Sequence, residues 1–187
     1  MSSYTFPPKH TVLFYNSEEE YFEIIIPYIR AGLENNEFVL WSIPDTLSLK
    51  DAQARLEKSI DNLSRYINKE QLIINNKDSM YLEGSIFTAS NMLNRLIEIE
   101  KKALEKGFNG ICGVGDGSWA IDNYWVNFLM YENELNSIIK SRKIRALCTY
   151  SIKRLNIDRI CDIGISHQSS LVRQCGSWNS LEPDKFK

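Results

Sequence analysis

The sequence is poor in the residues that mark a disulfide scaffold or a metal centre. Its 187 residues include four cysteines, two histidines, nine glycines and five prolines. Cys112, Cys148, Cys161 and Cys175 all fall in the second half and form no CxxC pair, and their spacings of 36, 13 and 14 match no zinc template. Cys112 and Cys148 lie in apolar runs and read as small buried hydrophobes. A domain of this length buries roughly 70% of its unfolded surface and needs no cross-links to hold a core. No apolar run approaches the ~20 residues of a membrane span, and the opening MSSYTFPPKH lacks the apolar stretch of a secretory leader. Neither sign of charge dominates: 22 Lys and Arg face 24 Asp and Glu, a net charge of −2. That balance argues against a dedicated nucleic-acid or anionic-membrane binder. The expectation is a soluble, reduced, cytoplasmic protein, without repeats, low-complexity segments or linkers.

What is present is alternation. Residues 11–15 (TVLFY), 38–43 (FVLWSI), 72–74, 110–114 (GICGV) and 144–150 (IRALCTY) read as strands, and 170–175 as a last one. Between them lie helical patterns. Ser17 followed by Glu20 has capping-box spacing and opens a helix that Pro27 bends and Asn35–Asn36 ends. Ser48 opens a second helix. Met92, Leu93, Leu96, Ile97 and Leu104 mark a third, Tyr124, Phe128, Tyr131, Leu135 and Ile138 a fourth, and Asn156 caps a short fifth. Regular strand–helix alternation implies crossover connections and a mainly parallel α/β sheet with helices on both faces.

In such a sheet ligands bind beyond the carboxyl ends of the strands. That rule collects Tyr15, Trp41, Asp116, Ser118, Trp119 and Tyr150 as candidate ligand-binding residues, a set suited to a small, moderately apolar ligand. The segment from Gly113 to Trp119 (GVGDGSW) is the strongest single signal. Gly115 and Gly117 are read as supplying backbone freedom around Asp116, which either contacts a ligand or caps a turn. The glycines have neither the spacing nor the strand position of a dinucleotide fingerprint. A phosphate-binding loop would need GxxxxGK[ST] after the first strand. That position instead reads FYNSEEE, whose three carboxylates repel a triphosphate.

His10 and His167 sit where strands begin, at the edge opposite the expected ligand edge, and meet if the first and last strands are neighbours. They read as hydrogen-bonded structural residues, with a metal or switch role as the alternative. No Ser/Cys–His–Asp relay can be assembled from that placement. Glu132 and Glu134 are two residues apart on a helix and point to different faces. Glu18–Glu20 suit the positive end of their helix. Lys140, Arg142, Lys143 and Arg145 read as a solvated basic face. No catalytic residue, metal ligand set or cofactor is expected.

Several segments, in order, resemble the MEDS domain, the methanogen/methylotroph sensory domain also found in the dichloromethane-dehalogenase regulator. They are residues 10–15 (HTVLFY), 27–33 (PYIRAGL), 38–41 (FVLW), 107–110 (GFNG), 115–120 (GDGSWA), Tyr131–Glu132 with Leu135–Asn136, 146–150 (ALCTY), and His167 following Cys161–Asp162. The resemblance implies a RecA/KaiC-like three-layer sandwich that has lost its phosphate loop, and a role in sensing small hydrocarbon derivatives beside kinase or DNA-binding modules. The expected organisation is an extension at 1–8, one sensory domain at 9–178 and a polar tail at 179–187. With no room for an output module, the domain is expected to act through a signalling or transcription-regulatory partner, without touching nucleic acid or membrane itself. Two other readings stand beside this one. One is a degenerate nucleotide-binding domain using Asp116 for magnesium. The other is a structural module that forms a homodimer.

Overall fold

The computed structural model describes residues 8–182. β1 (His10–Tyr15) and β2 (Phe38–Ser42) are buried at every position, which requires cover on both faces. Between them runs α1 (Glu18–Glu34), whose start follows from its sequence: the Ser17 hydroxyl accepts from the Glu20 N–H at 3.2 Å, and the Glu20 carboxylate accepts from the Asn16 N–H at 2.8 Å. The helix runs through Pro27 as one element and stops at Asn35, followed by Asn36 in the left-handed region that asparagine tolerates.

Along the chain follow α2 (Leu49–Glu57), α3 (Leu63–Asn68), β3 (Leu72–Asn75), the single turn α4 (Lys77–Met80) and α5 (Ala89–Glu105). Then come β4 (Ile111–Asp116), α6 (Trp125–Ile138), β5 (Ile144–Ser151), α7 (Ile157–Ser166), β6 (Ser169–Gln174) and β7 (Ser177–Leu181). The seven strands form one sheet in the order β3-β2-β4-β5-β1-β6-β7. Every pairing is parallel except β6 with β7. Alternate strand residues feed two cores. Leu13, Val39, Trp41, Val114 and Leu147 pack against α1 and α2, while Val12, Phe14, Leu40, Cys148 and Tyr150 pack against α5, α6 and α7. This is the three-layer α/β sandwich that the alternation implies.

Two features depart from the sequence reading. Cys175 and Gly176 both have positive φ and join β6 to β7 as a two-residue hairpin, so residues 179–181 belong to a strand and not to a tail. β7 is the outermost strand and largely exposed, which is why it carries no hydrophobic alternation. The first seven residues of the expected extension and the last five of the expected tail lie outside the described residues. The supposed basic face holds only in part: Lys140 and Lys143 are exposed, but the two arginines are not free in solvent. Arg145 is buried, forks onto the Glu37 carboxylate at 2.6–3.0 Å and lies over the Tyr28 ring, and Arg142 pairs with the buried Glu100 at 2.7 Å. Among the described residues no helix is long and apolar enough to cross a membrane.

Candidate functional site

β5 lies between β4 and β1, so the carboxyl ends of these three strands meet at one point of the sheet edge. Asp116 ends β4 there with 2% of its surface exposed. Its Oδ2 accepts from the hydroxyls of Thr149 (3.1 Å), Tyr15 (3.3 Å) and Ser118 (3.3 Å), and its Oδ1 accepts from the Ser118 N–H (3.0 Å). Ser118 in turn accepts from the Ser151 N–H at 3.2 Å, tying the β4 and β5 ends together. Burial pushes the Asp116 carboxyl up to about 6 from an ordinary 3.8, against the pull of those hydrogen bonds. Burial, reinforced by the neighbouring Asp116, also raises the Tyr15 hydroxyl, which stays protonated as a donor.

Around this carboxyl opens a cavity of about 390 Å³, within the size range of small-molecule sites. Tyr15, Tyr21, Leu47 and Trp119 supply its apolar walls, Asp116 its buried charge, and Glu18, Asp45, Lys153 and Arg154 further charges of both signs. The Trp119 indole N–H is buried and has no hydrogen-bond partner among the described residues. At the start of α1 the Glu20 N–H is taken by Ser17, and the Asn16 N–H before it by the Glu20 carboxylate.

Of the six residues expected to bind ligand, Tyr15, Asp116, Ser118 and Trp119 come together here. Trp41 and Tyr150 do not. Trp41 is wholly buried under α1 and donates its indole N–H to the Tyr21 hydroxyl at 2.8 Å, so it braces a cavity wall from below. Tyr150 follows Thr149 on β5, and successive strand residues point to opposite faces; Thr149 faces Asp116 and Tyr150 faces α6. The glycines are corrected as well. Neither Gly115 nor Gly117 has positive φ. Both are there for space, since a Cβ would meet the Tyr81 hydroxyl at 2.1 Å or the Tyr150 ring at 2.5 Å. Gly117→Ala is expected to cost about 1–3 kcal/mol of overpacking, measured by urea unfolding. Gly164→Ala, whose Cβ meets nothing nearer than 3.8 Å, is the matched control and is expected to show no loss.

A second constellation lies toward the amino ends of the strands, on the α6 side of the sheet. His10 and His167 do meet, their rings stacked with centroids 4.0 Å apart. Between them and Cys148 projects Glu132, which is 1% exposed. Its Oε2 is 3.2 Å from His10 Nε2, 3.6 Å from His167 Nε2 and 3.5 Å from Cys148 Sγ. Burial raises the Glu132 carboxyl, but the two histidines and the Tyr150 hydroxyl outweigh it and hold the group below its ordinary value. Burial and the nearby His10 push His167 down to about 4, so it is neutral at pH 7. Glu132 and Cys148 were missed by sequence reasoning. The available signal was helical phase: Glu132 lies four residues after Phe128 and three before Leu135, on the stripe that faces the core.

The order of the parallel strands, the helices on both faces and the cavity at the carboxyl edge define a RecA/KaiC-like α/β protein. Solved structures that share this fold include two archaeal proteins. One is the KaiC-like protein PH0186 of the hyperthermophilic archaeon Pyrococcus horikoshii OT3, with a TM-score of 0.59 and 14% identity over 94% of this chain and 77% of that one. The other is the flagellar accessory protein FlaH of Methanocaldococcus jannaschii, with a TM-score of 0.51 and 13% identity over 92% and 76% of the two chains. The family model of the methanogen/methylotroph, DcmR sensory domain matches residues 9–168, and the chain belongs to this MEDS family. No curated protein matches it.

Proposed function

We propose that this MEDS domain is a non-enzymatic sensor that binds a small organic molecule beside Asp116 and passes the bound state to a signalling or transcription-regulatory partner. The observation that carries the reading is the cavity itself: aromatic walls around one buried, hydrogen-bonded carboxyl, at the edge where parallel sheets take their ligands. Such a site suits a compact molecule with an apolar body and one hydroxyl, amino or similarly polar group to meet Asp116. The sensory character of the family agrees with it. A nucleotide fits less well, because the first turn of α1 directs carboxylates where a phosphate chain would have to lie.

A thermal-shift screen of short-chain alcohols, ketones, amines and halogenated alkanes tests the reading. A ligand present at one hundred times its Kd stabilises by about 2.7 kcal/mol, which raises the midpoint of a domain this size by roughly 5–11 °C. The shift is expected in the wild type and not in an Asp116→Ala/Trp119→Ala double variant. Equal shifts in both proteins would place the ligand elsewhere. ATP titrated with and without magnesium supplies the opposing outcome, since a magnesium-dependent shift by ATP alone would favour a degenerate nucleotide site.

A further inference from the structure

We propose that His10, Glu132, Cys148 and His167 form a buried tetrahedral site for one divalent transition-metal ion of the zinc type. The four residues come from distant parts of the chain: the first residue of β1, the middle of α6, the middle of β5 and the residue after α7. β1 lies between β5 and β6 while α6 and α7 cover the same face, so their side chains converge on one point. All four are buried, and their ligand atoms lie within 4.8 Å of one another.

The spacing has the scale of a coordination shell. With bonds of about 2.0–2.1 Å to nitrogen or oxygen and about 2.3 Å to sulfur, a tetrahedral site has ligand-to-ligand edges of about 3.3–3.6 Å. The structure gives 3.2 Å for His10 Nε2 to Glu132 Oε2 and 3.6 Å for His167 Nε2 to Glu132 Oε2. It gives 3.6 Å for His10 Nε2 to Cys148 Sγ and 3.5 Å for Cys148 Sγ to Glu132 Oε2. The two remaining pairs, between His167 and either His10 or Cys148, are at most 4.8 Å apart.

Hydrogen bonds from outside the cluster fix which atoms face inward. His167 Nδ1–H donates to the Ile163 carbonyl at 2.7 Å, which leaves the Nε2 lone pair pointing into the cluster. His10 Nδ1 lies 3.4 Å from Asn136 Oδ1, which can only accept, so Nδ1 carries a proton. The Tyr150 hydroxyl donates to Glu132 Oε1 at 2.8 Å and leaves Oε2 for the centre. Metal-binding imidazoles and carboxylates are oriented by outer partners of this kind.

Inside the ring, acceptors outnumber donors. His167 Nε2 remains buried with no hydrogen-bond partner among the described residues. Such an orphaned acceptor is rare in a dry core, and a cation among the four ligands resolves it. Two neutral imidazoles, one thiolate and one carboxylate carry two negative charges, which a divalent ion neutralises without leaving a net charge buried. The mixture of nitrogen, sulfur and oxygen favours zinc or a similar ion over magnesium or calcium, which prefer oxygen ligands. All four positions are filled by protein, the arrangement of a structural centre.

The test uses the full chain, assayed for metal by plasma mass spectrometry as purified and after loading with Zn²⁺ or Co²⁺. The expected result is one tightly held ion per chain and, with Co²⁺, the intense visible bands of tetrahedral coordination together with a thiolate-to-cobalt absorption in the near ultraviolet. Cys148→Ser is expected to abolish the thiolate band, and His167→Gln to weaken binding at least 100-fold. Tyr150→Phe, which removes only an outer partner, is expected to weaken it about 10- to 100-fold. Circular dichroism of each variant separates lost affinity from lost fold, and a Cys161→Ser/Cys175→Ser protein controls for the exposed thiols. The proposal is overturned if the folded wild type holds neither ion, or if binding and the thiolate band survive Cys148→Ser and His167→Gln.

Discussion

Glu37→Ala is expected to destabilise the fold by about 3–5 kcal/mol, the usual cost of leaving one member of a buried ion pair behind. The Arg145 side chain is 9% exposed and that of Glu37 11%, so water cannot replace the lost carboxylate. The pair spans 108 residues and joins β5 to the segment between α1 and β2, with the guanidinium lying over Tyr28 of α1. Its loss therefore loosens one helix layer from the centre of the sheet. Guanidinium unfolding measures the effect directly, and the thermal midpoint is expected to fall by roughly 6–20 °C. A double replacement by Glu37→Leu and Arg145→Met is expected to cost much less than the two single truncations together, because no charge is left stranded. A loss below about 1 kcal/mol for Glu37→Ala would show that the ion pair does not anchor the layer.

Asp116→Asn is expected to gain stability relative to the wild type as the pH rises from 4 to 6.5. The folded carboxyl titrates at about 6 and the unfolded one at an ordinary 3.8, so between these values the native state holds a proton that the unfolded state has released. This group's contribution is complete below pH 4 and is lost as the pH rises through 6. The loss amounts to about 3 kcal/mol at 1.36 kcal/mol per pKa unit. Asparagine removes that slope, so the stability difference between variant and wild type should open between pH 4 and 6.5 and stay constant above. Parallel pH profiles of wild type and variant would mean that the Asp116 carboxyl is not raised. If the proposed ligand binds beside Asp116, the same substitution should reduce the response found by the thermal-shift screen.

Tyr150 touches both constellations. Its hydroxyl holds Glu132, and its ring fills the space that a Cβ on Gly117 would need, beside Asp116. Although it does not line the cavity, it packs directly between the cavity's Gly117 turn and the four-residue cluster.

Local pattern determined most of the architecture. The apolar runs of β1, β2 and β5 read as strands, the Ser17–Glu20 box as a helix start, and their alternation implied a mainly parallel sheet, all as found. The placement of Tyr15, Asp116, Ser118 and Trp119 at one edge followed from that topology, because the ends of parallel strands share an edge wherever each strand lies. Strand phase is legible in the sequence as well, since the adjacency of Thr149 and Tyr150 assigns them to opposite faces. Other features depended on the sheet order, which no local pattern contains. Arg145 meets Glu37 across 108 residues, and His10 meets Glu132 across 122. Both encounters arise from strand neighbours and helix layers set by the whole fold. A short stretch of sequence fixes which way a side chain points from its own backbone, but only the tertiary structure decides what it finds there.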